Sequence, residues 1–186
     1  MRAITVRQPW AWAIAHGWKP VENRVQPTRH RGVIAIHSAL TLEEGARFPD
    51  RDAEEARRRA GAYWNPAVPG DRPHDDHPDP ATALGAVIAV ANLVDCHSAA
   101  TVPRLDGTTG TCCEPWGMPG HHHLVFEGVL LLEDPIPLPG QLGVWSFQSD
   151  ERLYMQTLRY GDHSITRLLT KEAHVARTKA PSRHGR

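Results

Sequence analysis

Gly17, Lys19, Glu22 and Arg24 form a Gly-x-Lys-x-x-Glu-x-Arg string between an apolar stretch at residues 8–15 and the run Arg31-Gly32-Val33-Ile34-Ala35-Ile36-His37. A lysine, a carboxylate and an arginine at two- and three-residue intervals, close to tryptophan, are the chemistry of a cleft for a polyanion or a base. The arginine offers a planar fork and the lysine a point charge, both suited to phosphate. Glu22 has three options: orienting Lys19, accepting a proton, or reading an exocyclic amine.

The flanking residues extend this set. Trp10 offers a face on which an extruded base can stack, a contact worth about 1–3 kcal/mol per base, and Trp145 is a second candidate. Gln8 lies two residues from Trp10, and its amide presents donor and acceptor together to a base edge. His37 closes an apolar run with a titratable ring that can act as acid, base or hydrogen-bond donor. Ser38 beside it can bond a phosphate, and Arg31 adds another cation. Trp12 and Trp18 are left to packing.

A metal reading is weaker. Cys112 and Cys113 lie near His121-His122-His123, but consecutive residues on an extended segment point to opposite faces, and zinc ligands must converge. The His74-Asp75-Asp76-His77 cluster reads as a solvated loop. No metal and no cofactor are expected.

The elements that must hold these side chains follow from periodicity. Residues 3–6 read as a strand. Pro9 opens a helix, where its missing N–H costs nothing, and Gly17 ends it. The first N–H groups of that helix are expected to be open to an anion. Residues 32–38 read as a buried strand. A helical stretch begins at Thr41 with Glu43 and Glu44, breaks at Pro49, and resumes as a charged, solvated helix over 50–59. Residues 65–80 are a proline-rich loop. Residues 83–95 and 124–132 read as long central strands, residues 135–140 as a turn, 142–147 as a strand and 150–160 as a helix. Strands without strand-helix-strand repetition argue for an α+β fold built on a small mixed barrel rather than a doubly wound sheet.

The chain's 186 residues, 40% hydrophobic, suit one core. We expect one domain over residues 1–160 and a basic, partly disordered extension over 161–186. Lys+Arg and Asp+Glu both number 21, so net charge says nothing, but its distribution does. Residues 1–38 carry six Lys/Arg against Glu22 alone, and residues 167–186 six against Glu172 alone. Three cysteines cannot all pair, which fits a reducing compartment. Neither a leader pattern nor a long apolar run is seen, so a soluble, cytoplasmic protein without a membrane partner is expected.

The order Gln8-Pro9-Trp10-Ala11, then the Gly-x-Lys-x-x-Glu-x-Arg string, then Arg31-Gly32 through His37-Ser38 resembles the ASCH family (activating signal cointegrator homology). Gly85-Ala86-Val87-Ile88-Ala89-Val90, Pro115-Trp116, Pro135-Ile136-Pro137 and Gly143-Val144-Trp145 agree with it. The resemblance spans roughly residues 2–147 and implies a PUA-like β-barrel whose relatives bind RNA or DNA, often beside a cleft that takes a base.

The leading expectation is a binder of single-stranded RNA, or of a base that can be modified, using Gln8, Trp10, Lys19, Glu22, Arg24, Arg31, His37, Ser38 and Trp145. The rival is an enzyme, either a ribonuclease or a hydrolase of a modified nucleoside, with Lys19, Glu22 and His37 catalytic. The family's amidohydrolase type, acting on N4-acetylcytidine, resembles Gly-x-Lys-x-x-Thr-x-Arg. This chain carries Glu22 at the threonine position, and a carboxylate cannot serve the same acyl transfer. A third reading is a protein-interaction module using the charged helix and the proline-rich loop.

Overall fold

The computed structural model describes residues 1–60, 62–71 and 79–148. The expected helix over 150–160, the basic extension over 161–186 and the His74–His77 cluster lie outside the described residues.

Strand β1, Arg2–Gln8, alternates enough to place Ile4 and Val6 on one face and Ala3 and Thr5 on the other. Helix α1, Trp10–Ala15, is a turn and a half, with Pro9 at its N-cap accepting from Ala13 N–H at 3.0 Å. Gly17 stops it at φ +74°, a left-handed conformation that costs glycine little. Strand β2, Val21–Arg24, carries the acid and the arginine of the charged string. Its four residues lack apolar alternation, so their pattern does not mark a strand.

Strand β3, Gly32–Leu42, runs past its expected end. The helix expected from Thr41 is absent: β1 and β3 pair in parallel as far as Gln8 and Leu42, and Glu43 N–H donates to Gln8 O at 2.7 Å. Ladder hydrogen bonds there replace those a helix would have made. Helix α2, Arg51–Arg59, is the solvated helix the charges predict. Asp50 caps it by accepting from Ala53 N–H, Ala53 is its one buried residue, and Glu54–Arg57 and Glu55–Arg59 pair along its surface.

Strands β4, Ala86–Ser98, and β7, His122–Pro137, form the long central pair, with a small hairpin of β5, Thr101–Pro103, and β6, Thr109–Thr111, between them. The turn expected over 135–140 starts later, because β7 stays paired with β4 to Pro137. Strand β8 is Val144–Ser146.

The main sheet has the order β2-β7-β4-β3-β1-β8, with β1 and β3 parallel and the other neighbours antiparallel. Its central strands are buried on both faces. Ile4, Ile34, Ile36, Ile88 and Leu93 pack with α1 on one side, and Ala3, Val33, Ala35, Val87, Val90, Leu132 and Trp145 pack on the other. That explains why Val87–Val94 reads as a nearly unbroken apolar run. Three register shifts between β4 and β7 bend the pair, and the bend brings β2 around toward β1.

Among the described residues the expected barrel does not close: β2 and β8 are edge strands and share no ladder. A side chain crosses the gap instead, with Arg24 Nη2 donating to Thr5 O. Among the described residues the architecture is α+β, mostly strands, with α1 and α2 beside one curled, open, mixed sheet.

Candidate functional site

Alternation along β2 puts the side chains of Glu22 and Arg24 on one face. Glu22 is buried there with a cation at each oxygen: Lys19 Nζ is 3.1 Å from Oε2, and Arg24 Nη2 is 3.2 Å from Oε1. Lys19 reaches in from the turn after α1, and its ammonium also donates to Val21 O. Lys19 is 4% exposed, so its charge is spent on Glu22 and a carbonyl rather than presented to a ligand.

Glu22 and Arg24 open onto a cleft of about 930 Å³ between β1, β3 and the loop after β7. Trp10, Arg7, Glu43 and His37 also line it, along with Leu142, which is 98% exposed at the tip of that loop. Trp10 is half-buried, stacked on Phe48 with ring centroids 5.4 Å apart, and edge-on to Trp116 at 6.3 Å. Arg7 and Glu43 form an exposed 2.8 Å pair at the rim.

His37 sits in β3 opposite Thr5 of β1. Its Nε2 lies 2.8 Å from Leu138 O, and a carbonyl can only accept, so Nε2 carries the proton and Nδ1 keeps a lone pair. Burial pushes the ring's pKa below the usual histidine range, against the opposing effect of the Leu138 carbonyl, so the neutral form prevails. Nδ1 has no hydrogen-bond partner, and neither has Arg24 Nε. Among the described residues three buried side-chain polar atoms lack partners, and two of them belong to residues lining this cleft. Gly140 packs over His37: a Cβ there would come within 2.6 Å of Cε1 and 2.9 Å of Nδ1.

Several expected contact residues are elsewhere. Gln8 is fully buried, donating through Nε2 to Ala81 O at 2.7 Å and accepting at Oε1 from Trp12 N–H at 2.9 Å. Its amide is therefore committed to the start of α1 and the segment beside it, leaving none for a base edge, and it occupies one of the N–H groups expected to be open to an anion. Trp145 is also buried. It donates to Thr5 Oγ1 at 3.1 Å and meets His37 edge-on at 5.7 Å, so it supports the cleft wall and offers no stacking face. Ser38 follows His37 on the strand and so faces the other way, fully buried. Arg31, just before β3, pairs with Asp95 at 3.2 Å and does not line the cleft.

The ASCH domain family matches residues 4–130. The chain belongs to the ASCH domain family. The family lies within the PUA-like superfamily and is generally associated with RNA binding. No curated protein matches the chain. No helix among the described residues is long and apolar enough to cross a membrane.

The ASCH domain carries a second cluster that the sequence argument discounted. Donor atoms of His97, Cys112, Cys113 and His123 all lie within 4.8 Å of one another. The three consecutive histidines diverge, since His122 reaches Ser98 Oγ and His121 reaches Pro119 O. The convergence comes from His97, which a strand remote in sequence brings beside His123 and the two cysteines. All three cysteines are free thiols.

Sequence reasoning also missed Thr5, Arg7, Glu43 and Gly140 around the cleft. Arg7 is exposed in the alternation of β1 and so was legible as a rim cation. Gly140 carried no signal, because its role depends on which ring it packs against.

Proposed function

We propose that this ASCH domain binds single-stranded RNA by taking one nucleobase into the cleft of Trp10, Glu22, Arg24 and His37. The observation that carries the reading is the pair of unpartnered atoms of opposite kind beside one cavity: a donor on Arg24 Nε and an acceptor on His37 Nδ1. Buried polar atoms are nearly always satisfied, so two such atoms at a cleft mark where a ligand's polar groups go. A base edge supplies both partners, an N–H for His37 and a carbonyl or ring nitrogen for Arg24, once the loop bearing Gly140 yields.

Glu22 is a further acceptor for an exocyclic amine, held in place by Lys19. The exposed Leu142 and the half-buried Trp10 give the base apolar contact, and bases in single strands are free to be splayed and stacked in this way. Modified bases fall within the same chemistry.

Fluorescently labelled single-stranded RNA and DNA of matched sequence, titrated at two salt concentrations, test the reading. Wild type is expected to prefer RNA, with affinity falling about tenfold or more in Arg24→Ala, the loss of a charge-assisted hydrogen bond. Equal affinity of wild type and Arg24→Ala would remove the cleft from the interface. Strand length is followed in the same tubes, because cleavage that vanishes in Glu22→Gln would reassign the site as catalytic.

A further inference from the structure

His97 and His123 face each other across the β4–β7 ladder, with ring centroids 5.4 Å apart. The turn after β6 brings Cys112 and Cys113 to the same point. Adjacent residues in an extended chain would diverge, but Cys113 has φ +64°, a left-handed conformation rare outside glycine, which lets both sulfurs turn inward. Cys112 Sγ is 3.5 Å from His97 Nε2 and 3.4 Å from His123 Nδ1, and Cys113 Sγ is 3.5 Å from His97 Nε2.

The outer nitrogens fix which tautomer each ring adopts. His97 Nδ1 is 2.7 Å from Asp95 Oδ2, and His123 Nε2 is 3.0 Å from Met118 O. A carboxylate and a carbonyl accept, so both protons sit on the outside and both lone pairs point at the sulfurs. This is how metal-binding histidines are held: the nitrogen away from the metal donates to a carboxylate or a backbone carbonyl. Ala100 N–H lies 3.2 Å from Cys112 Sγ and supports negative charge there.

We propose that His97, Cys112, Cys113 and His123 form a four-ligand structural zinc site. Bond lengths of about 2.3 Å to sulfur and about 2.05 Å to nitrogen make the sulfur–nitrogen edge of a tetrahedron about 3.5 Å. The three sulfur–nitrogen distances above match that edge. The remaining separations, none above 4.8 Å, close by small side-chain rotations. Two thiolates with two imidazoles favour zinc over magnesium or calcium, and four protein ligands leave no open position for catalysis.

Such an ion fastens the 99–121 excursion to the sheet. The cysteine turn continues into Trp116, whose ring abuts Trp10 and whose carbonyl accepts from Asn23 Nδ2 at 2.9 Å. Met118 N–H donates to Asn23 Oδ1 at 2.9 Å, so the same turn is docked on β2. Gly117 permits the close packing, since a Cβ there would come within 2.6 Å of His123 Cε1. The proposal shares no residue with the cleft and does not depend on what the cleft binds.

The test uses the full chain, stripped with a chelator and titrated with zinc and with cobalt. One equivalent of zinc should bind and raise the melting temperature. Cobalt should give the intense visible bands of a four-coordinate ion and a near-ultraviolet thiolate charge-transfer band. Asp95→Asn keeps all four ligands and should weaken zinc about 10–100-fold, the usual cost of losing the partner of a metal-bound histidine. The Cys112→Ser, Cys113→Ser double variant should lose the charge-transfer band, while Cys96→Ser, outside the cluster, should keep it. A stripped wild type whose melting temperature ignores zinc, or a cobalt complex without the thiolate band, would overturn the assignment.

Discussion

Arg24 Nη2 lies 3.2 Å from Glu22 Oε1, two residues away on the same strand face, while Lys19 approaches the other oxygen from behind. The two cations are not equivalent. Arg24 is partly exposed and lines the cleft; Lys19 is buried and does not. The Lys-Glu-Arg part of the string divides into one residue facing the cleft, one carboxylate at its edge and one buried support.

Lys19→Met should therefore act on folding first. Removing one partner from a buried pair leaves uncompensated charge, and the expected loss is about 3 kcal/mol, the low end for such pairs because Arg24 remains. Urea denaturation measures it. A loss under about 1 kcal/mol, the size of an exposed pair, would show that Lys19 is more solvated than its geometry implies.

Trp10 and Trp145 should separate binding from packing. Trp10→Ala is expected to cost about 1–3 kcal/mol in single-stranded RNA affinity. Trp145→Phe should leave affinity unchanged while lowering stability, since it removes the donor to Thr5 and part of the core. Equal effects of both on affinity would mean that no stacking face exists at Trp10.

His37 gives a pH dependence of known sign. Burial lowers its folded-state pKa below the ordinary 6.5. Between the two values the unfolded chain binds more protons, so the His37 contribution is complete above about 6.5 and is lost as pH falls through that window to the folded value. Wild type minus His37→Gln, compared by chemical denaturation from pH 8 downward, should show stability declining more steeply in wild type on the acid side. Parallel curves would mean that the ring titrates normally.

Gln8 is expected to be structural. Gln8→Ala strands the Trp12 N–H and the Ala81 and Ala83 carbonyls, for a loss of about 3 kcal/mol at the usual cost of unsatisfied buried groups. Gln8→Glu should also destabilise, because a carboxylate would face those two carbonyls. If instead Gln8→Glu folds as well as wild type and binds RNA differently, the amide reads the ligand after all.

Strands with a strong apolar pattern were legible in the residues alone: β1, the start of β3, β4 and β7. So were α1 between Pro9 and Gly17, the charged α2 and the family. Those features are local, set by periodicity, caps and backbone restriction. Glu22, Arg24, His37 and Trp10 were legible too, because their types and order are informative before any fold is known.

Side-chain direction and partnership depend instead on the folded chain. Gln8, Ser38 and Trp145 were chosen by chemical type, yet side-chain direction follows from register, and register placed all three inside. Thr41 joined a strand because β1 lay alongside to accept it. The barrel stayed open because closure depends on how far bulges bend the sheet, which no local pattern encodes. His97 met two cysteines and His123 because β4 and β7 pair across 26 residues of chain, and convergence at that distance is a property of the fold.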